Sequence, residues 1–189
     1  MNRRDAIARV AWVMGGTVIG ANLFLTGCTR KATKNVESLF EPDIIDFLGD
    51  VADTILPPTS SPGAKEAGVG GFIPVMVRDC YPPEDQKVFV EGLGKLEDAA
   101  KAKFHRAFRK LEADERTELL TEIDKEAREH QQNKKKADLN HYFFMLKQIT
   151  LLGYFTSELG ATRALRYVPV PGKYIGDYPY KKGDKAWAI

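Results

Sequence analysis

Apolar side chains recur along most of this chain at intervals of three and four residues, the spacing that lays them on one face of an α-helix. From residue 43 onward Ile44, Phe47, Leu48, Val51, Ala52 and Ile55 keep that register. Pro57 and Pro58 then stop the helix, because neither can donate a backbone hydrogen bond. Residues 59–71, dense in Ser, Pro and Gly, read as a loop. A short helix is expected over 73–80, with Pro74 tolerated in its first turn. Pro83, Glu84 and Asp85 open another, a proline and two acids suiting the positive end of a helix dipole, with Phe89, Leu93, Leu96 and Ala100 as its stripe. Charge dominates 101–136, a solvated helical face whose expected inward contacts are Phe104, Phe108, Leu111, Leu119, Leu120 and Ile123. Residues 139–152 form the most apolar helix, with Tyr142, Phe143, Leu146 and Ile149 on one side and Gly153 as its expected terminator. Phe155, Thr156, Ser157 and Glu158 mark the start of one more short helix, capped by Thr156 or Ser157.

From Tyr167 the character changes. The sequence YVPVPGKYIGDYPYKKGDKAWAI is rich in Pro, Gly and Tyr, cannot propagate a helix, and should lie extended across a surface. Sustained period-2 alternation is missing throughout. The expected fold is therefore all-α, a small helical domain of about five to seven helices with an irregular C-terminal tail. The aromatics Tyr167, Tyr174, Tyr178, Tyr180 and Trp187 either cover the domain's own core or anchor a protein interface.

The first 27 residues are of another kind. Arg3, Arg4 and Arg9 precede an apolar run over 10–25, shorter than the ~20 residues a membrane-spanning helix needs. A charged start, a short apolar middle and a small-residue end describe a signal peptide, and the paired Arg3 and Arg4 point to twin-arginine export. Ala6 and Ala8 stand where stronger signals of this kind carry Phe and Lys. Leu25-Thr26-Gly27-Cys28 looks like a lipoprotein processing box, in which the Cys28 thiol takes the diacylglycerol and becomes the new N-terminus. Two or three acyl chains hold a protein firmly where one is marginal. The expected organisation is a signal peptide over 1–27, a polar tether over 28–40 and one helical domain over 41–189, with its tail from about 167. The expected location is the periplasmic side of a bacterial membrane.

Composition narrows the chemistry. At 43% hydrophobic and 29% charged, the 189 residues are those of a globular protein. Its net charge of +2 belongs to the leader, because 25 basic and 25 acidic residues balance from Cys28 onward. Nothing in that balance calls for a nucleic-acid partner. Once Cys28 serves an anchor, Cys80 is a single thiol, either buried or paired with a cysteine of another chain. His105, His130 and His141 have no metal-like spacing, and no CxxCH or four-cysteine run is present. His141 reads as a packed or capping residue. Asp50 and Asp53, three apart on a helix, make a chance carboxylate pair, and the glycines of 59–71 fit neither the dinucleotide nor the P-loop pattern. No catalytic, cofactor-binding or metal-binding residue is nominated.

Three segments in order resemble the gluconate 2-dehydrogenase subunit 3 family: VADTILPPTSSPGAKEAGVGGFI, FFMLKQITLLGYFTSELGA and YVPVPGKYIGDYP. Together the resemblance spans most of 40–180, and a twin-arginine leader is usual in that family. It implies a non-catalytic small subunit of a membrane-associated sugar, sugar-acid or polyol dehydrogenase. Its partner would be an FAD-bearing large subunit of the glucose–methanol–choline type, joined where present by a cytochrome subunit with haem c. The small subunit would supply the export signal and help the large one mature. Gly153, Tyr154, Phe155, Thr156, Ser157, Pro171, Gly172, Tyr174 and Tyr178 are then the expected partner contacts, and Cys80 a candidate intermolecular thiol. A cysteine often stands in the family tail where this chain has Asp177, so no role tied to it carries over. Two rivals remain: a stand-alone lipid-anchored helical binding or scaffolding protein, and an enzyme using Asp53, Glu66 or His141.

Overall fold

Prolines set the starts of two long helices, where a fixed φ suits the first turn and no backbone donor is wasted. In the computed structural model, which describes residues 34–170 and 172–188, these are α2 (Pro42–Ile55) and α4 (Pro83–Phe104). A single turn, α1 (Lys34–Glu37), precedes them, and α3 (Val69–Cys80) lies between. Two more follow, α5 (Ala113–Asn133) and α6 (Tyr142–Thr156), making six α-helices among the described residues. Residues 33–189 form a compact unit of their own. The expected signal and anchor residues Arg3, Arg4 and Cys28 lie outside the described residues, as does Pro171.

The core is helix against helix, and its members are the predicted stripes. Phe47, Leu48, Val51 and Ala52 of α2, Phe89, Leu93, Leu96 and Ala100 of α4 and Leu119, Leu120 and Ile123 of α5 share one core, and α6 is the helix that touches all three. Most of α6 sits among them, with Tyr142, Phe143, Met145, Leu146 and Ile149 buried. The domain begins earlier than the polar composition of 28–40 suggested. Val36 and Leu39 are fully buried in the core, so residues 36–39 belong to the domain rather than to a tether.

Several boundaries differ from the sequence pattern, each for a local reason. Helix α3 starts at Val69 rather than 73, which places Pro74 inside it, its ring facing the turn of Gly70. Gly70 is there because α2 passes against it: a Cβ would stand 2.6 Å from the Ile45 carbonyl and 2.9 Å from the Gly49 nitrogen. The charged stretch 101–136 is broken at His105, which takes a left-handed φ of 56° and ends α4. A 3₁₀ turn at Phe108–Lys110 then drives the Phe108 ring into the core, edge-on to Phe47. Gly153 does not terminate α6. The helix runs on to Thr156, and Gly153 is small because Phe72 packs on it, 2.6 Å from where a Cβ would be. Ser157 is the cap expected: its Oγ accepts from Gly160 N–H at 3.0 Å and opens a π-turn at Gly160–Ala164.

The turn between α3 and α4 is held by one side chain. Gln86 is fully buried, and its Nε2 lies 3.2, 2.9 and 3.0 Å from the carbonyls of Val77, Arg78 and Tyr81. The last carbonyls of a helix lack intrahelical partners. Here the following helix supplies the donor.

Candidate functional site

Helix α6 has more apolar surface than the core can absorb. Its inner face is filled by the residues above, yet Leu151, Leu152 and Phe155 emerge on the outside of its last turns. Spacings of three and four residues put Phe155 beside both leucines, forming an exposed strip. Of the expected contact residues, Phe155, Thr156 and Ser157 lie on or beside it. Gly153 and Tyr154 do not. Tyr154 is buried, and its hydroxyl donates to the Pro62 carbonyl at 2.7 Å, tying the loop after α2 to α6. Both residues serve the chain's own packing.

Beyond the π-turn the tail closes on itself. Strands β1 (Arg166–Tyr167) and β2 (Trp187–Ala188) pair in parallel, with Arg166 N–H donating to Ala186 and Val168 N–H donating to Ala188. The Arg166 guanidinium stacks 4.6 Å from the Trp187 ring and donates to the Tyr178 hydroxyl at 3.1 Å. Tyr178 in turn meets Trp187 edge-on at 5.4 Å. Lys185 Nζ donates to the Arg163 carbonyl. No described residue beyond Ala164 joins the core. Tyr174 is 95% exposed, Val170 79% and Tyr180 77%, while Tyr167, Ile175, Tyr178 and Trp187 are each close to half exposed. Gly172, also exposed, takes a left-handed φ of 74°. The tail is a clasped loop standing off the body, and its aromatics leave the core uncovered.

The residues with chemical potential elsewhere are engaged. Asp50 is ion-paired with Lys65 at 2.6 Å and Arg109 at 3.1 Å, and Asp53 accepts from Lys65 N–H at 3.1 Å. Through Lys65 the two carboxylates brace the loop after α2. Glu66 is exposed. His141 caps α6: its Nδ1 accepts from Phe143 N–H at 3.2 Å, so the neutral ring carries its proton on Nε2, 3.9 Å from Glu126. Burial pulls its pKa below the usual range, assisted by His130 and Lys95 and opposed by Glu126. Burial also raises the Tyr142 hydroxyl far above its ordinary value, keeping it protonated. These groups line a cleft of about 880 Å³ beside Lys95 and Asn140. Burial would raise Asp124, but hydrogen bonds from Lys147 and Arg128 outweigh it and lower its pKa. Among the described residues no cluster of His, Cys, Asp and Glu is placed to hold a metal, and no helix is long and apolar enough to cross a membrane. Cys80 is an exposed free thiol 4.0 Å from Met76 Sδ, which rules out the buried reading.

The profile of one family, gluconate 2-dehydrogenase subunit 3, matches residues 42–172. The chain belongs to that family. Membership makes it a subunit of a multi-subunit, gluconate 2-dehydrogenase-type complex. No curated protein and no solved structure matches it. The subunit 3 match begins at α2, takes in the exposed strip of α6, and stops at Gly172, before most of the tail's aromatic and basic side chains. Nothing in the sequence singled out Leu151 and Leu152 as surface residues. In a helix so uniformly apolar the exposed side carries no polar signature.

Proposed function

We propose that this chain is the non-catalytic accessory subunit of a periplasmic, membrane-associated, flavin-dependent dehydrogenase acting on sugars, sugar acids or polyols. The large subunit, of the glucose–methanol–choline type, would hold the FAD and carry out the oxidation. A cytochrome c subunit would pass electrons on where one is present. Arg3 and Arg4 would engage the export receptor, so that the small subunit carries its folded partner out of the cytoplasm. Cys28 would bear the lipid that keeps the complex at the membrane.

The observation that carries this reading is the strip of Leu151, Leu152 and Phe155 within the family-matched segment. Uncovered apolar side chains on a helix whose inner face already fills a core are what a protein partner would desolvate. Phe155 and Thr156 would contact that partner.

The test is co-expression with a candidate flavoprotein large subunit of the glucose–methanol–choline type, following flavin absorbance through a pull-down. Wild-type chain should retain the flavoprotein, and Leu152→Asp with Phe155→Asp should release it while the helical fold persists. If the flavoprotein is exported and loaded with flavin equally well without this chain, the reading fails.

A further inference from the structure

The clasped tail carries a charge the body does not share. Residues 163–188 hold six basic side chains (Arg163, Arg166, Lys173, Lys181, Lys182 and Lys185) against Asp177 and Asp184, a net of +4. Residues 34–162 hold 17 basic and 23 acidic side chains, a net of −6. All four tail lysines are exposed, and none forms an ion pair among the described residues. Positive charge, exposed Tyr and Trp rings and two exposed aliphatic residues, Val170 and Ile175, therefore occupy one loop.

We propose that this loop rests on the headgroups of an anionic phospholipid bilayer. Its composition favours that occupant over an acidic protein surface. Lysine is depleted at protein–protein interfaces, where arginine and close-packed pockets dominate, yet four of the six basic residues here are lysines. A headgroup layer makes no demand for fixed bidentate geometry and attracts each nearby lysine or arginine. The aromatics are four tyrosines and one tryptophan, with no phenylalanine. Rings with one polar end concentrate where hydrocarbon meets water. The match to the subunit 3 family stops at Gly172, so this surface lies mostly outside the segment shared with the family and is independent of the α6 strip. The acidic body would be repelled by the same bilayer, which orients the tail toward it and the helices away. This inference rests on the membrane placement proposed above, but its test needs neither the dehydrogenase nor the acyl anchor on Cys28.

The test uses the chain from Thr29, because residues 33–189 are a compact unit with their own core. Trp187 is then its one tryptophan, since Trp12 lies in the leader. Co-sedimentation with vesicles of phosphatidylcholine containing about one-third phosphatidylglycerol should retain the protein, whereas pure phosphatidylcholine should not. Trp187 emission should shift to the blue on the anionic vesicles only, and binding should weaken as salt is added. Changing Lys173, Lys181, Lys182 and Lys185 together to Gln should lower binding at least tenfold, with the circular dichroism and thermal midpoint unchanged. Tyr174→Ser with Tyr180→Ser should weaken binding as well. Three results would each overturn the proposal: no vesicle binding, equal binding to neutral vesicles, or vesicle binding that the lysine changes leave intact. Binding of the loop to the flavoprotein without any to vesicles would assign it to an acidic protein partner instead.

Discussion

The helical body and the tail solve the problem of an exposed side chain in opposite ways. Every ion pair found among the described residues lies between residues 46 and 147. Charges there are matched across helices, as with Asp50 between Lys65 and Arg109, or Asp124 between Lys147 and Arg128. The tail leaves its lysines unmatched and its aromatics in water, apart from the Arg166–Trp187–Tyr178 stack at its base. A surface with internal partners has settled its electrostatics during folding. One without them retains most of its interaction free energy for something outside the chain.

The contrast predicts a gradient of stability effects, measurable by urea unfolding of the chain from Thr29. Phe89→Ala, which empties a fully buried position in α4, should cost about 3–5 kcal/mol. Gly70→Ala comes next at about 3 kcal/mol, because the new methyl meets backbone atoms of α2 that cannot turn aside. Gln86→Leu should cost about 2 kcal/mol by leaving the carbonyls of Val77, Arg78 and Tyr81 without their donor. His141→Ala should cost about 1 kcal/mol through loss of the α6 cap. At the far end, Tyr174→Ser and Tyr180→Ser should each stay within about 0.5 kcal/mol of wild type, since both side chains are largely in solvent. A tail variant that unfolds the body would erase the distinction between the two regions.

His141 adds a pH dependence with a defined sign. Burial depresses its folded-state pKa below the ordinary 6.5, so the fold prefers the neutral ring. Above pH 6.5 both folded and unfolded chains carry it neutral, and its cap contributes in full. As pH falls below 6.5 the unfolded chain takes up the proton first, and stability declines until the folded ring protonates too. His141→Asn, which retains a capping acceptor without titrating, should flatten that decline.

Much of this was legible in the residues. The stripe Phe89, Leu93, Leu96, Ala100 was readable because a helix repeats its burial every three to four positions, and those positions are buried. The same periodicity placed Leu119, Leu120 and Ile123 inward, and of the two hydroxyl residues offered as a cap, Thr156 and Ser157, it is Ser157 that accepts from Gly160 N–H. What could not be read depended on partners outside the helix that carries the residue. Gly153 carries the chemistry of a helix terminator, and only the Phe72 ring, some 80 residues away, explains it as a packing notch. Val36 and Leu39 sit in polar sequence and take their burial from helices yet to come. Gln86 looked like any surface glutamine of an acidic first turn. Its role follows from three carbonyls that the α3–α4 turn gathers around it. In the expected contact set, Tyr154 proved internal and Phe155 external because one hydroxyl found the Pro62 carbonyl.

The parallel pairing at the base of the tail leaves the helices independent of the loop. Its first strand, Arg166–Tyr167, follows directly on the helices, and the second, Trp187–Ala188, comes about twenty residues later. Every apolar residue that packs in the described core precedes both strands, the last being Ala164. Parting the strands would therefore free the loop without uncovering the core, so the clasp governs how far the loop can reach and not how firmly the body holds.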